Sequence, residues 1–215
     1  MQKNPHIAVV LSGCGRADGS EIHESVSALL CLENMGCTYQ CFAPDIKQAA
    51  VINHLNNQPM NEERNVLIEA ARIARGNILD LAEFKVEDFD GIIFPGGLGA
   101  VTNWCDFAAK GTQCTINTSI RSVIRQCHEH KVVIGAMCIA PVLIALVLAD
   151  KHVHFTLGAG GATAEKLEKL GAVHEEVGVT DVCIDRKNRV CSTPAYMLAT
   201  NSHSANICQK QKRNI

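Results

Sequence analysis

Several features that mark common protein classes are absent from this 215-residue sequence. The formal net charge is −2, so the chain has no broad basic region, and we expect no nucleic-acid partner. No C-x-x-C pair occurs among its 11 cysteines, which gives little support to a zinc site or a thioredoxin-type centre. No repeat, low-complexity tract or long linker divides the chain. We therefore predict one domain over residues 1–215, without a metal.

The N-terminal segment MQKNPHIAVVLSGCG also lacks the length and cleavage pattern of a signal peptide. An odd number of cysteines in a chain of this size, without a secretion signal, predicts that most of them are reduced and buried. The basic C-terminal segment QKQKRNI is interpreted as a solvated tail. From these observations we expect a cytoplasmic protein.

The run from Lys131 to Ala149, KVVIGAMCIAPVLIALVLA, predicts a buried strand, then Cys138, then a helix. Three consecutive β-branched residues, 132–134, suit a strand that is buried on both faces of a parallel sheet. Pro141 suits the first turn of a helix that begins at about Ala140. Cys138 would then lie at a strand-to-helix turn, as the nucleophile does in serine hydrolases.

Helix N-termini stabilise anions, so this position predicts a lowered pKa for the Cys138 thiol. The next N–H, that of Ile139, would then bind an oxyanion. One alternative is an inert cysteine in a hydrophobic core. Another is a membrane span, because residues 132–149 carry no charge, although Gly135 and Pro141 interrupt it. We expect no membrane partner.

Strand and helix signals alternate along the chain, which predicts an α/β fold: a three-layer α/β/α sandwich with a mainly parallel, flavodoxin-like sheet and a nucleophile elbow. In the first helix, Ser20 is the predicted cap, and the predicted apolar stripe consists of Ile22, Val26, Leu29 and Leu30. Asn61 is the predicted cap of the second helix. Further predictions are a strand at 153–157, a hairpin around 186–188 and a C-terminal helix.

Ligands of such sheets bind beyond the carboxyl ends of the strands, where SGCG, PGG and Cys138 would meet. After a strand, the N–H of Gly97 could point into this crevice, although Pro-Gly-Gly also forms ordinary turns. Glu21 and Glu24 lie one turn apart and could face the thiol. The alternative is that they are surface acids, because Glu24 lies off the apolar stripe. On this interpretation the Glu24 side chain is exposed to solvent, unless another subunit covers that face of the helix.

Five motifs in the same order, SGCGRADGSEIHE, NVLIEAARIARG, PGGLGA, GAMCIAP and STPAYMLA, resemble the ElbB-type glyoxalases, or enhancing-lycopene-biosynthesis proteins. These form part of the PfpI-like branch of the class I glutamine-amidotransferase-like superfamily. The resemblance runs nearly end to end. It implies that Cys138 is the elbow cysteine, that Glu24 is the acid contacting its sulfur, and that Gly97 is a backbone donor. It also implies that Glu21 is a second acid and that the protein is a homodimer.

One departure from the superfamily concerns histidine. Many members place a His directly after the cysteine or at the end of the following strand, where this chain has Ile139 and Gly158. A Cys-His-Asp/Glu glutaminase or protease mechanism is therefore poorly supported, whereas a Cys–Glu pair suits a small aldehyde substrate.

The resemblance thus implies a glyoxalase that needs no cofactor, metal, nucleotide or glutathione. It would convert glyoxal to glycolate, or methylglyoxal to lactate, through a hemithioacetal on Cys138. The alternative is a redox-sensing or stress-response protein that acts through oxidation of Cys138, with an indirect role in isoprenoid biosynthesis. A third hypothesis is a scaffold whose site has decayed. Whether Cys14, Cys105 or Cys114 reaches the crevice stays open at this point.

Overall fold

A sheet of seven strands organises residues 4–201, the part of the chain that the computed structural model describes. The strands there are β1 (His6–Val10), β2 (Thr38–Ala43), β3 (Ile52–Asn53), β4 (Gln58–Pro59), β5 (Ile78–Asp80), β6 (Gly91–Phe94), β7 (Val133–Met137), β8 (His154–Gly158), β9 (Val173–Glu176), β10 (Cys183–Asp185) and β11 (Val190–Thr193). The helices there are α1 (Ile22–Asn34), α2 (Val66–Ile73), α3 (Gly99–Thr102), α4 (Phe107–Lys110), α5 (Thr118–Glu129), α6 (Pro141–Leu148) and α7 (Ala162–Glu168).

The large sheet has the strand order β10-β11-β7-β6-β1-β2-β5. All neighbouring strands in it are parallel except β10, which runs antiparallel to β11. Numbered in chain order, β1, β2, β6, β7 and β11 lie in the spatial order 2-1-3-4-5, and β5 extends the sheet beyond β2. This order is that of flavodoxin-like folds. The prediction of a mainly parallel, flavodoxin-like sheet is confirmed.

Helices cover both faces of the sheet. Along β1 and its continuation, Ala8 and Val10 belong to one hydrophobic core, and Val9 and Leu11 belong to another. Successive residues of a strand point to opposite faces, so the two cores lie on opposite sides of the sheet. Residues of α5 and α6 complete the first core, and residues of α1 and α2 complete the second. The three-layer arrangement follows from this division.

Helix α1 turns a different face to the core than its sequence predicts. Ile22, Val26 and Leu30 of the predicted stripe are exposed, with 43%, 47% and 55% of their surfaces accessible. Leu29 is the one member of the stripe that is buried, whereas Glu24 is fully buried. The helix is therefore oriented so that a carboxyl points inward, while three of the four residues of the predicted stripe face outward.

The predicted caps of the first two helices are also wrong. The Ser20 hydroxyl accepts a hydrogen bond from the Ser12 N–H at 2.8 Å and so joins two loops, while Glu21 caps α1 instead. Helix α2 begins at Val66 with Asn65 as its cap, four residues after Asn61. The residues before it are not helical, because their backbone bonds to the loop after β2.

Other predicted elements are present, and the structure adds strands that were not predicted. The predicted hairpin is β10 and β11, and the predicted strand at 153–157 is β8. This strand pairs with β9, which was not predicted, in a separate two-stranded parallel sheet. No helix within residues 4–201 is both long enough and apolar enough to cross a bilayer. The predicted C-terminal helix and basic tail involve positions after 201, outside the described residues, and a short 3-10 turn at Ala195–Met197 precedes them.

Candidate active site

Cys138 lies between the end of β7 and the start of α6, at the predicted strand-to-helix turn. Pro141 is the first residue of α6, which confirms the predicted helix start. The backbone φ of Cys138 is +60°, in the left-handed region that residues with a side chain rarely adopt. Its N–H donates to the Thr193 carbonyl of β11 at 3.0 Å. The sheet therefore holds the thiol in a strained, fixed position with 8% of the residue accessible.

Glu24 points from α1 to this thiol. Its Oε2 accepts a hydrogen bond from the Gly96 N–H at 2.9 Å, and its Oε1 accepts one from the Tyr196 N–H at 3.3 Å. The carboxyl also forms a side-chain hydrogen bond with Cys138. The interpretation of Glu24 as a solvated helix acid is therefore wrong. The residue is fully buried within a single chain, without a second subunit.

The backbone N–H groups of Gly97 and Ile139 both donate to the sulfur of Cys138. Gly97 has a φ of +95°, and a Cβ there would lie 2.3 Å from the Gly19 carbonyl oxygen. Its conformation and its close packing both require glycine. The two predicted backbone donors therefore converge on the thiol from two separate loops.

Gly96 is equally constrained, although its φ is not in the left-handed region. A Cβ at this position would lie 2.4 Å from the Cys138 Cβ and 2.6 Å from the Glu24 Oε2. Real Cβ atoms do not approach other atoms so closely, so a side chain here would displace the thiol or the carboxyl. The second glycine of the PGG motif and the first thus serve different purposes: Gly97 supplies a donor, and Gly96 leaves room for the pair.

Burial raises the pKa of the Glu24 carboxyl from 4.5 to about 7, and the nearby charge of Glu21 adds to this rise. The hydrogen bonds from Tyr196, Gly96 and Cys138 act in the opposite direction. At neutral pH the carboxyl is therefore present in both protonation states. Such a group can accept and return a proton without an external buffer.

The prediction of a lowered pKa for Cys138 is wrong. Burial raises the pKa of this thiol, and the charge of Glu24 raises it further. The N–H groups of Gly97 and Ile139 lower it, as a helix N-terminus should, but burial outweighs them. The resting residue is a thiol that has a proton acceptor hydrogen-bonded to it.

Glu21 lies next to the pair but does not complete it. Its Oε2 accepts from the Glu24 N–H at 2.7 Å and so caps α1. Its own N–H donates to the Gly96 carbonyl at 2.9 Å. In the described part of the chain, the side chain thus has a positioning contact, and its charge acts on Glu24 rather than on Cys138 directly.

The three other cysteines left open by the sequence lie away from this thiol. The hydrophobic cluster around Cys138 contains Ala28, Met137 and Ala195. Cys14 packs against the core beneath α1 and α2, whereas Cys105 belongs to the opposite core, with Cys114 hydrogen-bonded to it. None of the three therefore joins the cluster around Cys138.

Tyr196 is the contributor that sequence reasoning missed. The turn that carries it includes Ala195 at a φ of +43°, which aims the Tyr196 N–H at Glu24. The Tyr196 hydroxyl is 3.0 Å from Nδ1 of His23, the residue before Glu24. The stretch STPAYMLA contains the tyrosine, but no periodicity in it indicates a turn at the site.

Histidine is also absent from the two expected superfamily positions in the structure. Gly158 ends β8 at a φ of +94°, and a Cβ there would lie 2.6 Å from the Leu198 side chain. Within residues 4–201, no histidine hydrogen-bonds Cys138 or Glu24. The site accordingly consists of a thiol, a carboxyl and backbone donors.

Comparison with known proteins gives close relatives at the sequence level. The chain is 45% identical over 207 residues to the ES1 protein homolog of Rattus norvegicus, covering 92% of this chain and 77% of that protein. It is also 45% identical over 207 residues to glutamine amidotransferase-like class 1 domain-containing protein 3 of Homo sapiens, covering 92% and 76%. No model of a protein family matches the chain.

Solved structures agree with the fold. An isoprenoid biosynthesis protein with an amidotransferase-like domain from Ehrlichia chaffeensis superimposes with a TM-score of 0.86 at 34% identity, over 93% of this chain and 92% of that one. A ThiJ/PfpI domain protein from Brachyspira murdochii has a TM-score of 0.57 at 14% identity, over 95% and 94% of the two chains. The second likeness concerns the fold alone.

The names of the rat and human relatives place those proteins in mitochondria. The expectation of a cytoplasmic location is therefore wrong. It was based on the lack of a secretory signal, which does not distinguish the cytoplasm from an organelle. Given the sequence identity and coverage with the rat and human proteins, this chain belongs to the family of the ES1 proteins and the glutamine amidotransferase-like class 1 domain-containing proteins.

Proposed function

We propose that this protein is a glyoxalase that converts glyoxal to glycolate, and methylglyoxal to lactate, without a cofactor or glutathione. The observation that carries the proposal is the buried hydrogen bond between Glu24 and Cys138, with the carboxyl pKa near neutrality. The overall reaction oxidises one carbon of the substrate and reduces its neighbour. It therefore needs proton transfer and a nucleophile, but no external oxidant.

In the first step, ionised Glu24 accepts the Cys138 proton as the sulfur bonds to one carbonyl carbon of glyoxal. The carbonyl electron pair moves to its oxygen. The N–H groups of Gly97 and Ile139, which donate to the resting sulfur, stabilise the alkoxide on the adjacent carbon. Protonated Glu24 returns the proton to this alkoxide, and a neutral hemithioacetal results.

In the second step, the Glu24 carboxylate removes the hydrogen of the sulfur-bearing carbon as a proton. The electron pair left behind forms the carbon–carbon double bond of an enediol, and Glu24 gives its proton to the oxygen of the second carbon. The ionised Glu24 then accepts the hydroxyl proton of the sulfur-bearing carbon as that carbonyl re-forms, and it delivers this proton to the second carbon. The product is a glycolyl thioester on Cys138. Water adds to its carbonyl, the carbon–sulfur bond breaks, and glycolate and the thiol are released.

Features of the site favour a small aldehyde over an amide. Cys138 is only 8% accessible, which favours a small substrate over a large acyl group. An amide also requires a protonated leaving amine, for which class I amidotransferases use an imidazole. An aldehyde has no leaving group and can react with the Cys–Glu pair alone.

The alternative, a redox sensor, has less support from the electrostatics. Peroxide oxidises the thiolate, and the thiolate is disfavoured here because burial and Glu24 raise the pKa of Cys138. Because the resting residue is a protonated thiol beside Glu24, we expect peroxide to oxidise Cys138 slowly relative to glyoxal turnover.

For the assembly, we infer a homodimer through α1. Ile22, Val26 and Leu30 follow one another at a spacing of four residues and are all exposed, so they form an apolar stripe along one side of the helix. A second copy of the chain would cover this stripe by the same surface, as in most two-fold dimers.

The test of the proposed activity is glycolate formation from glyoxal, followed by NMR in metal-chelated buffer without glutathione. We expect turnover by the wild type and its loss in Cys138→Ala. Cys191→Ala, which removes a partly buried thiol of β11, is the matched control and should retain turnover. Equal rates in wild type and Cys138→Ala would eliminate the proposed activity.

A further inference from the structure

A basic cavity lies at the opposite end of β7 from Cys138. Its volume is about 480 Å³, and five cations line it: Arg125, Lys131, Lys151, Lys187 and Arg189. Lys131 precedes β7 and Arg189 precedes β11, so the cavity lies below the amino ends of the two strands whose carboxyl ends hold the site. Such a concentration of positive charge is unexpected in a chain with a net charge of −2.

Within residues 4–201, most of this charge has no counterion from the protein. Arg125 and Lys151 both contact Asp150, with distances of 2.8 Å and 3.2 Å, and they hold the pKa of that carboxyl at about 2. Among the described residues, Lys131 and Arg189 have no ion pair with a carboxylate. The same holds for Lys187 within residues 4–201, and Glu129 is the single carboxylate in the lining. Like charges that lie close together without a counterion repel each other. A bound anion would reduce this repulsion between the cations of the cavity.

The walls of the cavity are fixed rather than loose. Asn188, which is 5% exposed, donates to the Asp185 carboxylate at 2.7 Å, and its Oδ1 lies 3.1 Å from Nε2 of His128. Arg189 donates to the Lys131 carbonyl at 3.1 Å. The hairpin turn, the end of α5 and the start of β7 are thus bonded together, so the backbone segments that carry the cations have a fixed arrangement before any ligand binds.

We propose that this cavity binds a small molecule carrying two linked phosphate groups. Its volume lies within the range of small-molecule sites, and it is too small for a polymer. One phosphate contacts two or three cations, so five cations arranged over the turns around the cavity match a diphosphate better than a monophosphate. The proposal does not depend on the glyoxalase activity, because the cavity and Cys138 lie at opposite ends of the sheet.

Backbone geometry provides variants that remove charge without straining the fold. Lys131 and Arg189 have φ values of +60° and +54°, which glycine adopts at no steric cost. Lys131→Gly and Arg189→Gly therefore each remove one cation, and they also remove the steric strain of a positive φ. Arg75, at a φ of +53° after α2, offers the matched control Arg75→Gly, with the same charge change outside the cavity. Lys187→Gln removes a third cation at an exposed position without a change of backbone.

The experiment is calorimetric titration of the full chain with inorganic pyrophosphate and with orthophosphate, in chelated buffer of fixed ionic strength. We expect pyrophosphate to bind at least tenfold more tightly than orthophosphate. Arg189→Gly and Lys187→Gln should each weaken pyrophosphate binding about tenfold, whereas Arg75→Gly should change it less than twofold. Thermal unfolding of Arg189→Gly without ligand checks that the fold is retained.

Three outcomes would overturn the proposal. The first is no heat of binding with pyrophosphate, and the second is equal affinity for orthophosphate. The third is equal weakening by Arg75→Gly and Arg189→Gly, which would indicate a general charge effect. Since glyoxal turnover is measured separately, none of these results bears on the proposed activity at Cys138.

Discussion

The Glu24 carboxyl and the Cys138 thiol are hydrogen-bonded to each other in a place where burial raises the pKa of both. Burial disfavours the ionised form of each group, and ionisation of one raises the pKa of the other. The pair therefore keeps one proton between its two groups, and this proton can move from the sulfur to the carboxylate. Attack by the thiol and protonation of the carboxyl become parts of one event.

Substitution Glu24→Gln removes this acceptor while keeping the size of the side chain. We expect glyoxal turnover to fall by about 10²- to 10⁴-fold, the usual contribution of a positioned general base. Initial rates of glycolate formation measure it. Glu21→Gln is the control, because the amide oxygen can still cap α1, and it should stay within about threefold of the wild type. Wild-type rates in Glu24→Gln would remove the carboxyl from the mechanism.

The raised pKa of Glu24 also makes stability depend on pH. The folded carboxyl titrates at about 7 and the unfolded one near 4.5, so between these values the folded chain binds more protons. The free energy of unfolding should therefore decrease as the pH rises through this window, by about 3 kcal/mol from this group. Urea unfolding at pH 5 and pH 8 measures the change. Glu24→Gln lacks the titration and should show a smaller decrease, and parallel pH profiles for the two proteins would contradict the assignment.

The lack of space at Gly96 predicts a strong effect of a single methyl group. In Gly96→Ala the Cβ would meet Cys138 at 2.4 Å, so we expect a loss of about 2 kcal/mol or more in the free energy of unfolding and no turnover. Gly135→Ala, in the middle of β7, is the control, because its Cβ would meet Ile93 at an ordinary 3.4 Å. Equal stability of the two variants by urea unfolding would show that the site has room to relax.

The exposed stripe on α1 predicts the effect of one charge on assembly. Val26→Glu should give a monomer in sedimentation velocity, because a buried carboxylate in an apolar contact costs several kcal/mol. Ile68→Glu places the same charge at a 65% exposed position on α2 and should leave the dimer intact. A monomeric wild type would refute the dimer, and a dimeric Val26→Glu would place the contact elsewhere.

What could be predicted from the sequence was local. The run 131–149 encodes a strand, a turn and a helix within 19 neighbouring residues, so Cys138 was located correctly at the elbow. Gly97 and Ile139 were identified from the same kind of pattern, since Gly97 belongs to the loop that begins at the end of β6 and Ile139 directly follows the cysteine. Local patterns of β-branched residues, proline and glycine carry this information.

The surroundings of Glu24 could not be predicted in this way. Its bonding partners Gly96 and Tyr196 lie 72 and 172 positions further along the chain. Helical periodicity assigned the inward side of α1 to the predicted apolar stripe, but three of its four residues are exposed, and the Glu24 carboxyl points inward to Cys138. The pKa of the thiol was wrong for a related reason, because the degree of burial depends on the packing of distant segments.

If Cys138 is the nucleophile, a covalent intermediate on its sulfur can be trapped during turnover. Protein mixed with glyoxal is quenched in acid within the first turnovers, digested and mapped by mass spectrometry, with Cys138→Ser treated in parallel. We expect a peptide containing Cys138 whose mass has increased by one glyoxal, at a level that falls as substrate is consumed. Adducts confined to lysine, arginine or the other cysteines, with an unmodified Cys138 during active turnover, would exclude Cys138 as the nucleophile.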